Sequence, residues 1–113
     1  MTNEPLEITP QEVQRRLAAG EKIALIDVRE PGEFQLARIE GAELVPMQTV
    51  PSELSRLDAQ ADDTPLIVFC HHGVRSLNVV NWLRGQGVDA CRSMAGGIDR
   101  WSLEIDPTVP RYS

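Results

Sequence analysis

The chain reads as an α/β fold, an open parallel sheet with helices on both faces. Short apolar runs alternate with helix-period segments along the whole sequence, the pattern of a parallel sheet covered by crossover helices. The most apolar run, Leu66-Ile67-Val68-Phe69, lacks polar alternation, as expected for a strand buried on both sides. At 113 residues with 42% hydrophobic content the chain can build one core, so residues 1–113 are expected to form a single domain.

Thr9-Pro10-Gln11-Glu12 is a capping box with proline at the first helical position. Val13 and Leu17 give the helix an apolar stripe, and Gly20 ends it. Residues Ile23 to Val28 form a central strand, and Pro31 to Leu36 a short helix. Ala42 to Val45 form a second strand and Pro51 to Leu57 another short helix. Ala59 to Pro65 is polar, closes at proline and reads as a surface loop. Leu66 to Phe69 is the third strand, Ser76 to Arg84 a longer helix ending at Gly85 and Gly87, and Ala90 to Met94 a fourth strand.

A formal charge of −6, with no block of lysine or arginine, argues against nonspecific binding to nucleic acid or anionic membranes but permits a basic protein partner. Met1-Thr2-Asn3-Glu4-Pro5 lacks the basic and apolar segments of a secretory signal, and no apolar run approaches membrane-spanning length. A cytoplasmic protein is expected. Cys70 and Cys91 are the only cysteines and form no Cys-x-x-Cys motif, so both should be reduced thiols.

The chemistry concentrates where the third strand stops. Cys70 ends the apolar run, and His71-His72-Gly73-Val74-Arg75-Ser76 leads into the following helix. Loop N–H groups, the positive end of that helix and the Arg75 guanidinium would all favour a thiolate at this position. Free cysteine is also among the most buried residue types, so an inert core thiol is the competing reading. Gly73, which can take loop conformations closed to other residues, and the fixed donor fork of Arg75 favour a nucleophile. In open sheets ligands bind beyond the carboxyl ends of the strands, where this loop is expected.

Loop length separates two chemistries. A Cys-x5-Arg loop cradles the oxygens of a phosphoryl group, as in cysteine-dependent phosphatases. Here only four residues lie between Cys70 and Arg75. The shorter ring suits a smaller atom delivered to the thiolate, such as the outer sulfur of thiosulfate or a persulfide, so sulfur transfer is preferred.

The motifs together resemble a single-domain rhodanese, the thiosulfate and persulfide sulfurtransferase family. Cys70-His71-His72-Gly73-Val74-Arg75-Ser76 matches the family's active loop, and Leu25-Ile26-Asp27-Val28-Arg29-Glu30-Pro31 with Glu33-Phe34 matches its upstream signature. Ile39-Glu40-Gly41-Ala42 with Pro46 follows in order, and Met94-Ala95-Gly96-Gly97-Ile98 with Trp101 matches the C-terminal signature. Arg38 departs from the histidine often found there and is given no role. The resemblance implies a rhodanese-like sheet, no metal and no organic cofactor.

It also implies a two-step exchange. Cys70 would take sulfur from a donor such as thiosulfate, then pass it from a persulfide to a thiol, cyanide or protein acceptor. N–H groups from His71 to Ser76 would stabilise anionic sulfur, and Arg75 would orient an anionic donor. A sulfur-carrier or docking module acting on a protein partner is the alternative within the family.

The remaining candidates divide between support and chemistry. Asp27 and Arg29, at the end of another strand, should face the same sheet edge, either supporting the site or bracing loops through backbone hydrogen bonds. His71 and His72 are adjacent and the only histidines, a poor set for a catalytic zinc, and are expected to line the loop. Cys91 has the apolar setting of a core thiol, and Trp82 and Trp101 are expected in the core or on a pocket wall.

Overall fold

A computed structural model describes residues 4–113; Met1, Thr2 and Asn3, on which part of the expectation about a secretory signal rests, lie outside the described residues. The strands are β1 (Glu7–Ile8), β2 (Ala24–Asp27), β3 (Glu43–Leu44), β4 (Leu66–Phe69) and β5 (Cys91–Met94). Among the described residues they form one parallel sheet in the order β1-β5-β4-β2-β3. The helices are α1 (Pro10–Ala18), α2 (Pro31–Leu36), α3 (Leu54–Ala61), α4 (Val74–Gly85) and α5 (Gly97–Glu104), with a 3-10 helix at Met47–Glu53 before α3. None of the helices is long and apolar enough to cross a membrane, among the described residues.

Strand alternation divides the core into two layers. Leu66, Val68 and Cys70 join Ile26, Val28 and Cys91 on one face, beneath Val79, Val80 and Leu83 of α4 and Leu57 of α3. Ile67 and Phe69 point the other way, with Leu25, Met94, Val13 of α1, and Ile98 and Trp101 of α5. All four residues of β4 are buried, which accounts for its unbroken apolar sequence.

Connectivity explains where the site lies. From β2 the chain moves outward to β3, then crosses to β4 on the opposite side of β2. The sheet order therefore reverses between β2 and β4, whose carboxyl ends carry Asp27 and Cys70. A switch of this kind leaves a crevice beyond the strand ends.

Several element assignments are corrected. β1 brings the strand count to five among the described residues, but with two residues, one exposed, it has almost no apolar pattern to read. The Pro51 to Leu57 helix is two elements: Pro51 has no N–H for an α-helical ladder, so a 3-10 segment covers Met47–Glu53 and α3 starts at Leu54. α3 then runs into the expected loop and ends at Ala61. α4 begins at Val74 rather than Ser76, because Gly73 takes the left-handed conformation (φ 104°) and starts the helix directly after the loop. α5 is additional; Gly96 and Gly97 at its start gave no helical signal.

Candidate active site

The loop from Cys70 to Gly73 folds back on the cysteine sulfur. Gly73 N–H points to Cys70 Sγ at 3.1 Å and Ser76 N–H at 3.4 Å, so the sulfur accepts one N–H from the residue that precedes α4 and one from the helix's first turn, the latter a role a polar N-cap side chain ordinarily fills. Ser76 Oγ lies 3.4 Å from the same sulfur. Cys70 is 1% exposed, so only a small group can reach its sulfur through the loop.

The outer side of the loop rests on α5. Ile98 and Asp99 N–H groups, in the first turn of that helix, donate to the carbonyls of Cys70 (2.8 Å) and His71 (3.1 Å). Gly97 makes this approach possible: its φ is +61°, and a Cβ there would stand 2.3 Å from Cys70 O and 2.5 Å from His71 O. The glycine pair of the C-terminal signature is thus the bearing on which the cysteine loop sits.

Arg75 turns towards α2. Its Nη1 and Nη2 bind Glu33 Oε1 and Oε2 at 2.7 and 2.9 Å, a bidentate ion pair that engages two of five guanidinium N–H donors. Glu33 Oε1 also accepts the Glu30 N–H (3.1 Å), and Oε2 accepts the Tyr112 hydroxyl (2.6 Å). The Arg75 hydrogen bonds, opposed by burial and assisted by Tyr112, hold the Glu33 carboxyl at about 2, while burial and the bond to Glu33 push the Tyr112 phenol up to about 12.

A carboxyl with its folded pKa lowered stabilises the fold fully above its ordinary 4.5, and loses that contribution as pH falls towards 2. Between pH 6 and pH 3 the wild type should therefore lose about 1–2 kcal/mol more stability than Glu33→Gln. Urea midpoints at the two pH values check this; parallel losses in both proteins would contradict it.

Asp27 and Arg29 are both fully buried and paired at 2.7 Å. Arg29 also donates to Asp27 Oδ1 (2.9 Å), the carbonyls of Ala37 (2.6 Å) and Glu33 (3.3 Å), and Tyr112 Oη (3.0 Å). The pair ties the end of β2 to both ends of α2 and to the C-terminal segment, the loop-bracing role weighed from sequence. It is linked to the cysteine loop through Glu33, which pairs with Arg75, and Tyr112, which stacks on His71. Removing one member would strand a buried charge, a change that usually costs several kcal/mol.

The two histidines separate. His71 stacks on Tyr112 (ring centroids 3.9 Å apart, planes 9° apart), and burial followed by repulsion from His72 lowers its pKa. Its Nε2 is buried and has no hydrogen-bond partner among the described residues. His72 is exposed, with Nδ1 3.9 Å from Asp99. Val74 is 70% exposed at the start of α4.

Cys91 donates to Val88 O (3.3 Å), and burial raises its thiol to about 11. It pairs with Leu66 at the far end of β4, four residues before Cys70, so the two cysteines are separated by roughly 13 Å of strand. Trp101 is in the core, while Trp82 is more exposed, at 37%, in a shallow groove with Met47, Val50, Pro51 and Val79.

Sequence reasoning found the loop but did not assign roles to Glu33, Tyr112, Ser93 or Gly97. Glu33 and Gly97 lay within quoted motifs; Tyr112 and Ser93 had no local pattern, because their partners are remote in sequence.

Comparison with known proteins places this geometry in a family. A rhodanese-like chloroplast protein of Arabidopsis thaliana, which also carries a PpiC domain, is 38% identical over 92 residues; the match covers 78% of this chain but only 30% of that protein. The thiosulfate sulfurtransferase GlpE of Haemophilus influenzae is 37% identical over 106 residues, covering 90% of this chain and 95% of its own. The crystal structure of a rhodanese-like domain protein from Staphylococcus aureus superposes with a TM-score of 0.79 at 28% identity, over 96% of this chain and all of that one. A family model for the rhodanese-like domain matches residues 9–104, and the chain belongs to that family.

Proposed function

We propose that this chain is a sulfurtransferase in which Cys70 accepts a sulfane sulfur from thiosulfate or a persulfide and hands it to a thiol, cyanide or protein acceptor. The observation that carries the proposal is the convergence of the Gly73 and Ser76 N–H groups on a cysteine sulfur at the N-terminus of α4. In the first step the thiolate attacks the outer sulfur of thiosulfate, the S–S bond breaks and sulfite leaves with the electron pair. In the second step the acceptor attacks the outer persulfide sulfur, and Cys70 thiolate is the leaving group. Donors fixed on the inner sulfur stabilise it as attacking and as leaving thiolate without reorganising.

Arg75 serves in two ways under this proposal. Its pair with Glu33 holds the loop against α2, and its remaining N–H donors orient an anionic donor. The site residues His71, His72, Gly73, Val74 and Ser76 shape the loop, with Asp27 and Arg29 bracing its surroundings. Near-complete cover of Cys70 and a ring one residue shorter than a phosphoryl cradle both favour transfer of a small atom over dephosphorylation. No metal or organic cofactor enters this mechanism.

A second reading is a sulfur carrier that serves a protein partner. It is favoured by exposed Val74 directly beside Arg75, and by the apolar groove with Trp82 and Met47 further along α4. Steady-state transfer from thiosulfate to cyanide tests the enzyme: saturable turnover supports it. Turnover at background, with rapid sulfur uptake from a persulfidated protein, would replace it by the carrier. Phosphate release from an aryl phosphate would overturn both.

A further inference from the structure

We infer that Ser93 is a positioning residue for the nucleophile, because its hydroxyl orients the Ser76 hydroxyl towards the Cys70 sulfur. The inference deepens the proposed function and rests on Cys70 being its reacting thiol.

Ser93 lies in β5, beside Val68 of β4, and is fully buried. Strand alternation sends its side chain to the same face as Cys91, among apolar residues. A hydroxyl in such surroundings is costly unless it is hydrogen-bonded. Its hydroxyl meets Ser76 Oγ at 2.8 Å. Ser76, also fully buried, lies within reach of two further groups, Gly73 O at 3.3 Å and Cys70 Sγ at 3.4 Å.

Each hydroxyl has one proton to donate. If Ser76 donated to Ser93, the Ser93 proton would be left pointing into the apolar layer. The favoured arrangement therefore has Ser93 donating to Ser76, which frees the Ser76 proton for Gly73 O or the sulfur. A negatively charged sulfur is the stronger acceptor, so charging Cys70 draws that proton onto it. The thiolate then has a third donor beside the Gly73 and Ser76 N–H groups. A neutral sulfur releases the hydroxyl to the carbonyl, so the bond strengthens as charge develops.

The test is the pH dependence of Cys70 alkylation by iodoacetamide, read by peptide mass mapping so that Cys91 is scored separately. Wild type, Ser93→Ala, Ser76→Ala and the double variant are compared after thermal melts confirm that each folds. Ser93→Ala should move the midpoint of the profile upward by about half a pH unit or more. Ser76→Ala should move it at least as far, and adding Ser93→Ala to it should change nothing further. An unmoved profile in Ser93→Ala would overturn the inference, as would an equal additional shift on top of Ser76→Ala. Alkylation reports on the sulfur without requiring turnover, so failure here is distinguishable from failure of the sulfur-transfer proposal.

Discussion

A Cys70→Ser variant should fold as the wild type does and transfer no sulfur. The substitution keeps an acceptor in the same place: a serine oxygen can still receive the Gly73 and Ser76 N–H groups that Cys70 Sγ now receives. The polar ends of the loop and of α4 remain satisfied, so the thermal midpoint should stay within a few degrees, as for changes of about 1 kcal/mol or less. Chemistry is lost for a different reason. An alcohol is not ionised near neutral pH and forms no persulfide, so the covalent route is closed. Removing a covalent nucleophile lowers turnover on the order of a thousandfold or more. Thiosulfate-to-cyanide rates beside thermal melts check both halves. Retained activity would mean that another group, with Cys91 the remaining thiol, carries the sulfur.

Gly97→Ala should be the most damaging glycine-to-alanine change in the chain. Two costs coincide at this position. The backbone is left-handed (φ +61°), and the added methyl would meet the Cys70 and His71 carbonyls at distances where backbone atoms cannot remain. Left-handed strain alone costs about 1–2 kcal/mol, and forced overpacking adds about as much again, for a loss on the order of 3 kcal/mol or more. Relief requires the cysteine loop to move off α5, which breaks its bonds to the Ile98 and Asp99 N–H groups. Activity should therefore fall even at temperatures where the variant remains folded. Gly41→Ala provides the comparison: φ is +88°, but a Cβ there meets nothing within 4 Å, so about 1 kcal/mol is expected. Denaturant midpoints and rates for the two variants separate strain from collision. Equal effects would mean that close approach of α5 to the loop does not matter.

The two variants also mark how far the sequence could be read. The α/β class was legible because β4 is buried on both faces, and two-sided burial leaves an unbroken apolar run. The first helix was legible because its cap is local: Thr9 Oγ1 accepts the Glu12 N–H, one half of the expected capping box, while the Glu12 carboxylate turns to Arg15 and Arg16 instead of the Thr9 N–H. Cys70 stood out because strand, loop and helix follow one another without interruption. β1 escaped because its two residues depend on pairing with Ser93 and Met94, more than eighty positions away. Likewise, Glu33 reaches Arg75 across 42 positions and Tyr112 across 79, and no periodicity encodes such contacts. Gly97 was legible as part of a motif, but its purpose, admitting two carbonyls, needed three dimensions. Arg29 looked the same from sequence whether it served chemistry or bracing; in the structure it is itself fully buried and bonded to Asp27, Tyr112 and the carbonyls of Glu33 and Ala37, a bracing arrangement.

The most direct measurement of the central claim is the intact mass of the wild-type protein after incubation with thiosulfate, before and after a thiol reductant, with peptide mapping to locate any change. The account predicts a gain of one sulfur atom, confined to the Cys70 peptide and removed by the reductant. A protein whose mass is unchanged by both thiosulfate and a low-molecular-weight persulfide, or whose added sulfur maps to Cys91, would contradict it.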